Sequence, residues 1–321
     1  MEQKLLKVSN KEALENLKKM IQIPSFSGEE KLVCDYWEEQ IQKNNFNYKR
    51  KFNNLIIYSN SFNSNNKSII LNSHLDTVKP NNKYKKDPFE ALELDGKLFG
   101  LGSNDAGISV VCLFEIFKLH QDKNLILILS SEEENGGEKG IRSIINELKN
   151  VSLVIVGEPT NNQIAIGERG LMVADIEFEG KSAHVSHNKL GINAIEKASK
   201  VIPYIKTLST ELIDGELGKT EINITQISGG KQHNIIPDLC TLTLDIRFNE
   251  KYDHNLLKTE LEKVIDGRIK LRTDKIKPKY INKDHKIFKI ANELGLETYI
   301  SNTCSDMAHF PYNSVKCGPG L

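Results

Sequence analysis

Four short stretches of this chain carry metal-type ligands in sequence order: His74-Leu75-Asp76, Asp105, Glu133-Glu134 and Glu158. Each follows an apolar run that reads as a strand, at the point where that strand should end. One imidazole and several carboxylates gathered at one sheet edge can hold divalent metal, and a spare glutamate can move a proton. The combination points to metal-assisted hydrolysis.

Each stretch also has a plainer reading. In extended chain, residues two apart point to the same side, so His74 and Asp76 lie side by side. A carboxylate on the far ring nitrogen of a ligating His fixes its tautomer and orientation. That suits His74 as ligand and Asp76 as its partner, although His-x-Asp alone is common at polar strand ends. Asp105 sits in Gly100-Leu101-Gly102-Ser103-Asn104-Asp105-Ala106-Gly107, a glycine-rich turn into a helix. The same placement serves an ordinary N-cap. Glu132-Glu133-Glu134 directly follows a buried-type strand. Crowded acids raise one another's pKa unless a cation is present, which a metal on Glu134 relieves, leaving Glu133 as proton acceptor. In Val156-Gly157-Glu158-Pro159-Thr160 the proline forces Glu158 into extended backbone, as it would in a surface turn. Four such stretches on strand ends of one α/β domain form a stronger case than any one alone, because ligand sites in open sheets form there.

The elements that position them are legible from periodicity. Apolar residues at helical spacing predict helices over 10–21, with Ser9 or Asn10 as cap, and after Ser27, with Val33, Trp37 and Ile41 inward. Strands are expected at 55–58, 68–71, 125–129 and 153–156, and helices at 106–119 and 140–148. This alternation predicts an α/β domain with a largely parallel sheet. From Gly170 the texture changes to a half-buried strand at 171–178, a helix at 192–208, strands at 221–227 and 239–248, and a helix at 255–264. That order reads as a small α+β unit spanning 170–272, inserted into a domain made of 1–169 and 273–321. A helix over 285–294 closes the pattern.

Composition excludes several classes of function. Lys+Arg and Asp+Glu both number 43, so no strong field favours nucleic acid or an anionic membrane. No apolar run approaches the roughly 20 residues that cross a bilayer. Met1-Glu2-Gln3-Lys4 opens a charged amphipathic helix rather than a signal peptide. The five cysteines, Cys34, Cys112, Cys240, Cys304 and Cys317, are odd in number and show no CxxC pair. They read as reduced thiols of a cytoplasmic protein, without a disulfide framework.

The order HLDTV, GLGSNDAG, EEENGG, GEPT resembles the M20 family of metallopeptidases and deacylases, and within it the Bacteroidetes-type acetylornithine deacetylases. The resemblance extends to Asp87-Pro88-Phe89, 232–237, 244–247 and Ser305-Asp306, and so over nearly the whole chain. It implies a zinc-exopeptidase-like catalytic domain with a ferredoxin-like lid and dimerisation domain inserted. It also implies two divalent metal ions, Zn2+ or Co2+. His74 and Glu158 match ligands of one ion and Glu134 a ligand of the other, with Asp105 bridging. Glu133 matches the general base and Asp76 the acid behind His74. A cis peptide is implied at Asp105-Ala106. Gly180-Lys181-Ser182-Ala183-His184 resembles the segment whose His polarises the scissile carbonyl, often from the partner subunit; His187 has no such match. Asn234 and Arg247 match residues that hold the substrate carboxylate. For arginine the reason is its bidentate fork, while a salt bridge along a strand is the plainer reading.

The resemblance implies removal of an acyl group from an N-acyl amino acid, N-acetylornithine foremost, in arginine biosynthesis. N-succinylornithine, succinyl-diaminopimelate or dipeptide substrates are the alternatives, as is a ligand-binding homologue. The pattern departs at the end. The family's last His ligand follows a Gly-Pro-Gly, and here Gly318-Pro319-Gly320 is followed by Leu321 alone, with His309 upstream and out of alignment. The expectation is a shortened chain with a weak second metal site. A small-molecule substrate and a homodimer through the inserted domain are expected, with no nucleic acid or membrane partner.

Overall fold

The structure, a computed structural model, describes residues 10–321. The helix expected at Met1–Lys4 and the Ser9 cap lie outside the described residues. The chain forms two compact units. One runs to Gly167 and resumes over Tyr280–Tyr299 and Ser305–Leu321; the other comprises Glu168–Lys279 and Ile300–Cys304.

The first unit contains α1 (Asn10–Ile21), α2 (Lys31–Lys43), β1 (Asn47–Lys51), β2 (Asn54–Tyr58) and β3 (Ser68–His74). Next come α3 (Ile108–Leu119), β4 (Leu125–Ser130), β5 (Val151–Val156) and β6 (Ile164–Glu168). In the second unit the chain forms β7 (Gly170–Glu179), α4 (Ala194–Glu211), β8 (Glu221–Gly229), β9 (Leu239–Phe248), α5 (His254–Val264) and β10 (Arg268–Ile276). It then returns to the first unit through α6 (Ile287–Leu294) and β11 (Ser314–Lys316).

The sheet of the first unit has the order β1-β2-β4-β3-β5-β11-β6, and its four central strands β4, β3, β5 and β11 are parallel. A parallel strand covered on both faces needs no polar alternation. In β4, Leu125, Leu127 and Leu129 pack with Trp37, Phe114 and Phe117 from the helices. Ile126 and Ile128 pack on the opposite face with Ile70, Val154, Met307 and Phe310. That two-sided burial is why 125–129 reads as an unbroken apolar run.

The order β4-β3-β5 sets the site. β3 crosses to β4 on one side, and the chain then returns to β5 on the other, so their carboxyl ends diverge at a topological switch point. His74 is in register with Ser130, and Asn72 with Val156.

The helix expected over 140–148 is instead two tight turns, Ile141–Ser143 and Ile145–Glu147. The Ser143 hydroxyl donates to the Gly140 carbonyl at 2.8 Å. Ile141 and Ile144 enter the core at a spacing of three, which suits the tighter winding.

The second unit is an antiparallel sheet of order β8-β9-β7-β10. Met172, Ala174, Ile176 and Phe178 of β7 alternate inward, as do Leu242, Leu244 and Ile246 of β9, against α4 and α5. Asn193 and Asp253 cap those helices by accepting amide hydrogen bonds. The opposite face is charged: Arg272 pairs with Asp175 at 2.7 Å and Lys270 with Glu177 at 2.6 Å.

Candidate metal centre

His74 is the last residue of β3 and is buried. Its Nδ1 lies 2.9 Å from the backbone carbonyl of Asp76 and 3.5 Å from the Asp76 carboxylate. Its Nε2 faces Asp105 Oδ1 at 3.1 Å and Glu158 Oε1 at 4.0 Å. These three donor atoms all lie within 4.8 Å of one another. Burial works against the imidazolium, but the Asp105 and Asp76 carboxylates outweigh it and hold the His74 pKa well above the usual range.

Asp105 projects from the turn Ser103–Gly107, and the peptide joining it to Ala106 is cis. Gly102 opens this turn at φ +71°, and a Cβ there would stand 2.5 Å from Thr77 Cγ2. Only glycine lets the turn close against Thr77. The Asp105 side chain is 55% exposed, so it meets solvent at the site's mouth, while Glu158 lies at the floor.

Glu158 follows β5, and its Oε1 is buried without a hydrogen-bond donor. Burial, reinforced by Asp105 and Asp306 against the pull of His74 and Lys316, raises its pKa to about 8. A buried carboxylate oxygen lacking a donor, facing an imidazole nitrogen and a second carboxylate, is the donor set of a divalent metal. The residues present fit such an ion.

Asp76 has a second task. Besides flanking His74, its carboxylate accepts the Glu133 amide at 3.0 Å, the Glu134 amide at 3.1 Å and the Ser27 hydroxyl at 2.7 Å. One acid therefore orients the imidazole and fixes the loop carrying both glutamates. Burial opposes its ionisation, but His74, Ser27 and the Glu133 amide lower its pKa overall. Burial raises the Glu133 pKa well above the carboxylate range, with Glu158 and Asp306 adding to the rise. Burial raises that of Glu134 too. Glu134 stands outside the His74–Asp105–Glu158 cluster.

Two supporting acids carried no role in the sequence reading. Asp306 is buried and accepts the Ser130 hydroxyl at 2.6 Å, and burial lifts its pKa to about 6. Ser305-Asp306 is visible as a motif, but no local spacing ties it to β4. Glu30 is fully buried and accepts the Gly28 and Glu132 amides at 2.6 and 3.1 Å. Its place just before α2 resembles that of an ordinary helix-entry acid.

The last residues also reach this edge. The Gly318 amide donates to Thr160 Oγ1 at 2.9 Å, and Asn104 Nδ2 donates to the Leu321 carbonyl at 2.7 Å. His309 lies elsewhere, with burial lowering its pKa to about 4.

The remaining candidates belong to the second unit. His184 is exposed on a two-residue strand paired with Ile235–Ile236, and the Val185 amide donates to the Asn234 carbonyl. His184 and Asn234 are thus neighbours at the end of the sheet where Glu179 faces Leu239. Arg247 is eight residues along β9 from Leu239, about 27 Å from that end at strand rise. Its guanidinium forks onto Asp245 at 2.8 and 3.1 Å, the strand salt bridge of the plainer reading. Within one chain, these three residues do not converge.

Residues 166–271 match the peptidase dimerisation domain of the M20 type. An uncharacterised metallohydrolase of Methanocaldococcus jannaschii is 36% identical over 193 residues, covering 58% of this chain and 52% of the relative. Succinyl-diaminopimelate desuccinylase 2 of Shewanella loihica is 27% identical over 225 residues, covering 64% of this chain and 60% of the relative. The chain thus spans between half and three fifths of these relatives' length. The crystal structure of an M20 family metallo-carboxypeptidase of Sulfolobus solfataricus superposes with a TM-score of 0.72 at 19% identity, covering 95% of this chain and 91% of that one. The fold is that of the M20 peptidases.

Proposed function

We propose that this chain, a member of the M20 metallopeptidase family, is a metal-dependent amidohydrolase that removes the acyl group from an N-acyl amino acid. The observation that carries the reading is the convergence of His74, Asp105 and Glu158 around a buried oxygen without a donor, with Glu133 held beside it. His74, Asp105 and Glu158 hold one ion, and Asp105 with Glu134 a second, weaker one. A bound Zn2+ or Co2+ supplies Lewis acidity at the amide carbonyl and acidifies water.

The chain's own residues supply the remainder. Glu133 takes the proton from the attacking water and passes it to the leaving amine, a task suited to a carboxylate whose pKa burial has raised. Asp76 keeps His74 oriented and holds the Glu133 amide in place. Arg247 and Asn234 anchor the substrate carboxylate, and His184 stabilises the developing oxyanion. Because His184 and Arg247 stand far apart in one chain, the reading includes a homodimer in which the partner's His184 completes the site.

N-acetylornithine is the first substrate to test, on the motif resemblance. A succinyl-diaminopimelate-type substrate is the second, favoured by the name of the Shewanella relative. The test is hydrolysis of N-acetylornithine, N-succinylornithine, N-succinyl-diaminopimelate and a dipeptide, with and without added zinc or cobalt. Metal-dependent release of amino acid is expected, falling about 10²- to 10⁴-fold in Glu133→Gln at unchanged metal content. Metal uptake without turnover of any substrate sinks the hydrolase reading in favour of a ligand-binding homologue.

A further inference from the structure

The loop after β4 carries Glu133 and Glu134, yet no strand or helix ladder holds its amides. Each of them reaches a buried side chain instead. The Ser131 amide donates to Asn54 Oδ1 at 3.0 Å and the Glu132 amide to Glu30 Oε1 at 3.1 Å. The Glu133 and Glu134 amides donate to the two Asp76 oxygens at 3.0 and 3.1 Å. Asn54, Glu30 and Asp76 are all buried. Asp76 also serves His74, whereas Glu30 has no part in the reaction as described.

Glu132 is the residue in this loop whose backbone is strained. Its φ is +54°, in the left-handed region, where a Cβ crowds the carbonyl oxygen that follows. The conformation folds the chain back on itself: the Gly137 amide returns to the Glu132 carbonyl at 2.9 Å, and the Gly136 amide to the Glu133 carbonyl at 2.9 Å. Glu133 comes directly after the strained residue, close enough to His74 and Glu158 for their charges to act on its carboxyl. A return of Glu132 to negative φ would rotate the chain at the step into Glu133.

Glu30 is placed to prevent that return. Its Oε1 accepts the Gly28 amide at 2.6 Å as well as the Glu132 amide, and its Oε2 accepts Asn53 Nδ2 at 3.0 Å. Gly28 is itself left-handed, at φ +88°. Among the described residues, no Lys or Arg lies within salt-bridge distance of Glu30, so N–H donors are its partners. A carboxylate oxygen holds an amide more firmly than a neutral acceptor does.

We propose that Glu30 is a positioning residue: it holds Glu132 in the left-handed conformation and so fixes where the backbone presents Glu133 to the metal centre. It acts through the Glu132 backbone, not through contact with ion or substrate. The proposal rests on the amidohydrolase reading above, in which Glu133 moves the proton.

The experiment measures kcat and KM of the metal-loaded full chain for Glu30→Ala, in the unaltered background and in a Glu132→Gly background. Each kcat is taken per bound metal, which cancels differences in folded fraction. Glycine adopts positive φ without the Cβ penalty, so the loop then needs no carboxylate to hold it. Glu30→Ala is expected to lower kcat about tenfold in the unaltered background and less than about twofold in the Glu132→Gly background, with KM little changed. An equal loss in both backgrounds, no loss in either, or a loss carried by KM alone overturns the proposal. If the unaltered chain hydrolyses no acyl amino acid, the hydrolase reading fails separately. In that case, or if Glu30→Ala does not fold, hydrogen exchange of the shape-conserving Glu30→Gln chain decides. Exchange at least about threefold faster over residues 131–137, with β3 and β4 unchanged, upholds the positioning role. Unchanged exchange in the loop, or faster exchange throughout, overturns it.

Discussion

Glu158 shows how one side chain can record a missing charge. Its Oε1 is buried without a donor, and burial raises its pKa from the model-compound value of 4.5 to about 8. A metal needs the ionised form, so binding must displace that proton. Metal affinity is therefore expected to climb as pH rises toward about 8, with proton release, because Glu158 and the imidazolium of His74 must both lose a proton, as competition calorimetry would read. The same shift has a sign for stability. The folded state holds the proton more tightly than the unfolded one, so stability present below about pH 4.5 is lost as pH rises to about 8. The thermal midpoint of metal-free protein should fall across that window, and added zinc should reverse the fall. A metal affinity flat across the window would remove Glu158 from the ligand set. His74, Asp105 and Glu158 each stand at a strand end or turn in the sequence, and the structure brings their donor atoms together. Asp76 was legible only in part: its contact with His74 follows from strand alternation, but its hold on two loop amides does not.

At the scale of elements, the turn Ser103–Gly107 is the most constrained piece of the site. Gly102 sits at φ +71° against Thr77. Gly102→Ala meets both an unfavourable backbone conformation and a methyl–methyl overlap. Its expected cost is about 1–3 kcal/mol of stability, with reduced metal occupancy because the turn carries Asp105. A chemical denaturation midpoint and elemental analysis check both. Unchanged values would mean that the turn relaxes without moving Asp105. Glycine spacing announced this turn, whereas β10 went unseen. Its sequence Arg-Ile-Lys-Leu-Arg does alternate, with Ile269 and Leu271 against the core, but the charged partners mask the two apolar residues. The 140–148 segment failed differently: its apolar spacing fits a helix, and only the packing of Ile141 and Ile144 selects tighter turns.

For the whole molecule, β8 is an edge strand of the second unit, with no described strand on its outer side. It exposes 59% of Ile227, and neighbouring α4 exposes 60% of Tyr204. An open edge with apolar side chains invites pairing with another chain, and a second copy presents the same edge. The opposite edge, β10, carries Lys270 and Arg272, which discourage such pairing. The full chain is expected to sediment as a dimer. Ile227→Lys should weaken that dimer roughly thirtyfold, the effect of about 2 kcal/mol, and lower turnover with it. A monomer that retains full turnover would refute the contribution of His184 from the partner.

The sequence by itself determined the alternation of elements, the change of texture near Gly170 and the strand-end positions of the acids. Those features follow from local periodicity, which a short window of residues contains. Tertiary structure decided which acids meet. The order β4-β3-β5 brings Glu158 within 4.0 Å of His74, and the Ser103–Gly107 turn brings in Asp105. Glu134, adjacent to a loop anchor, stays outside that cluster. Asp306 reaches Ser130 across 176 residues of chain. Contacts of that range depend on strand order and on where the chain returns, and local spacing carries neither.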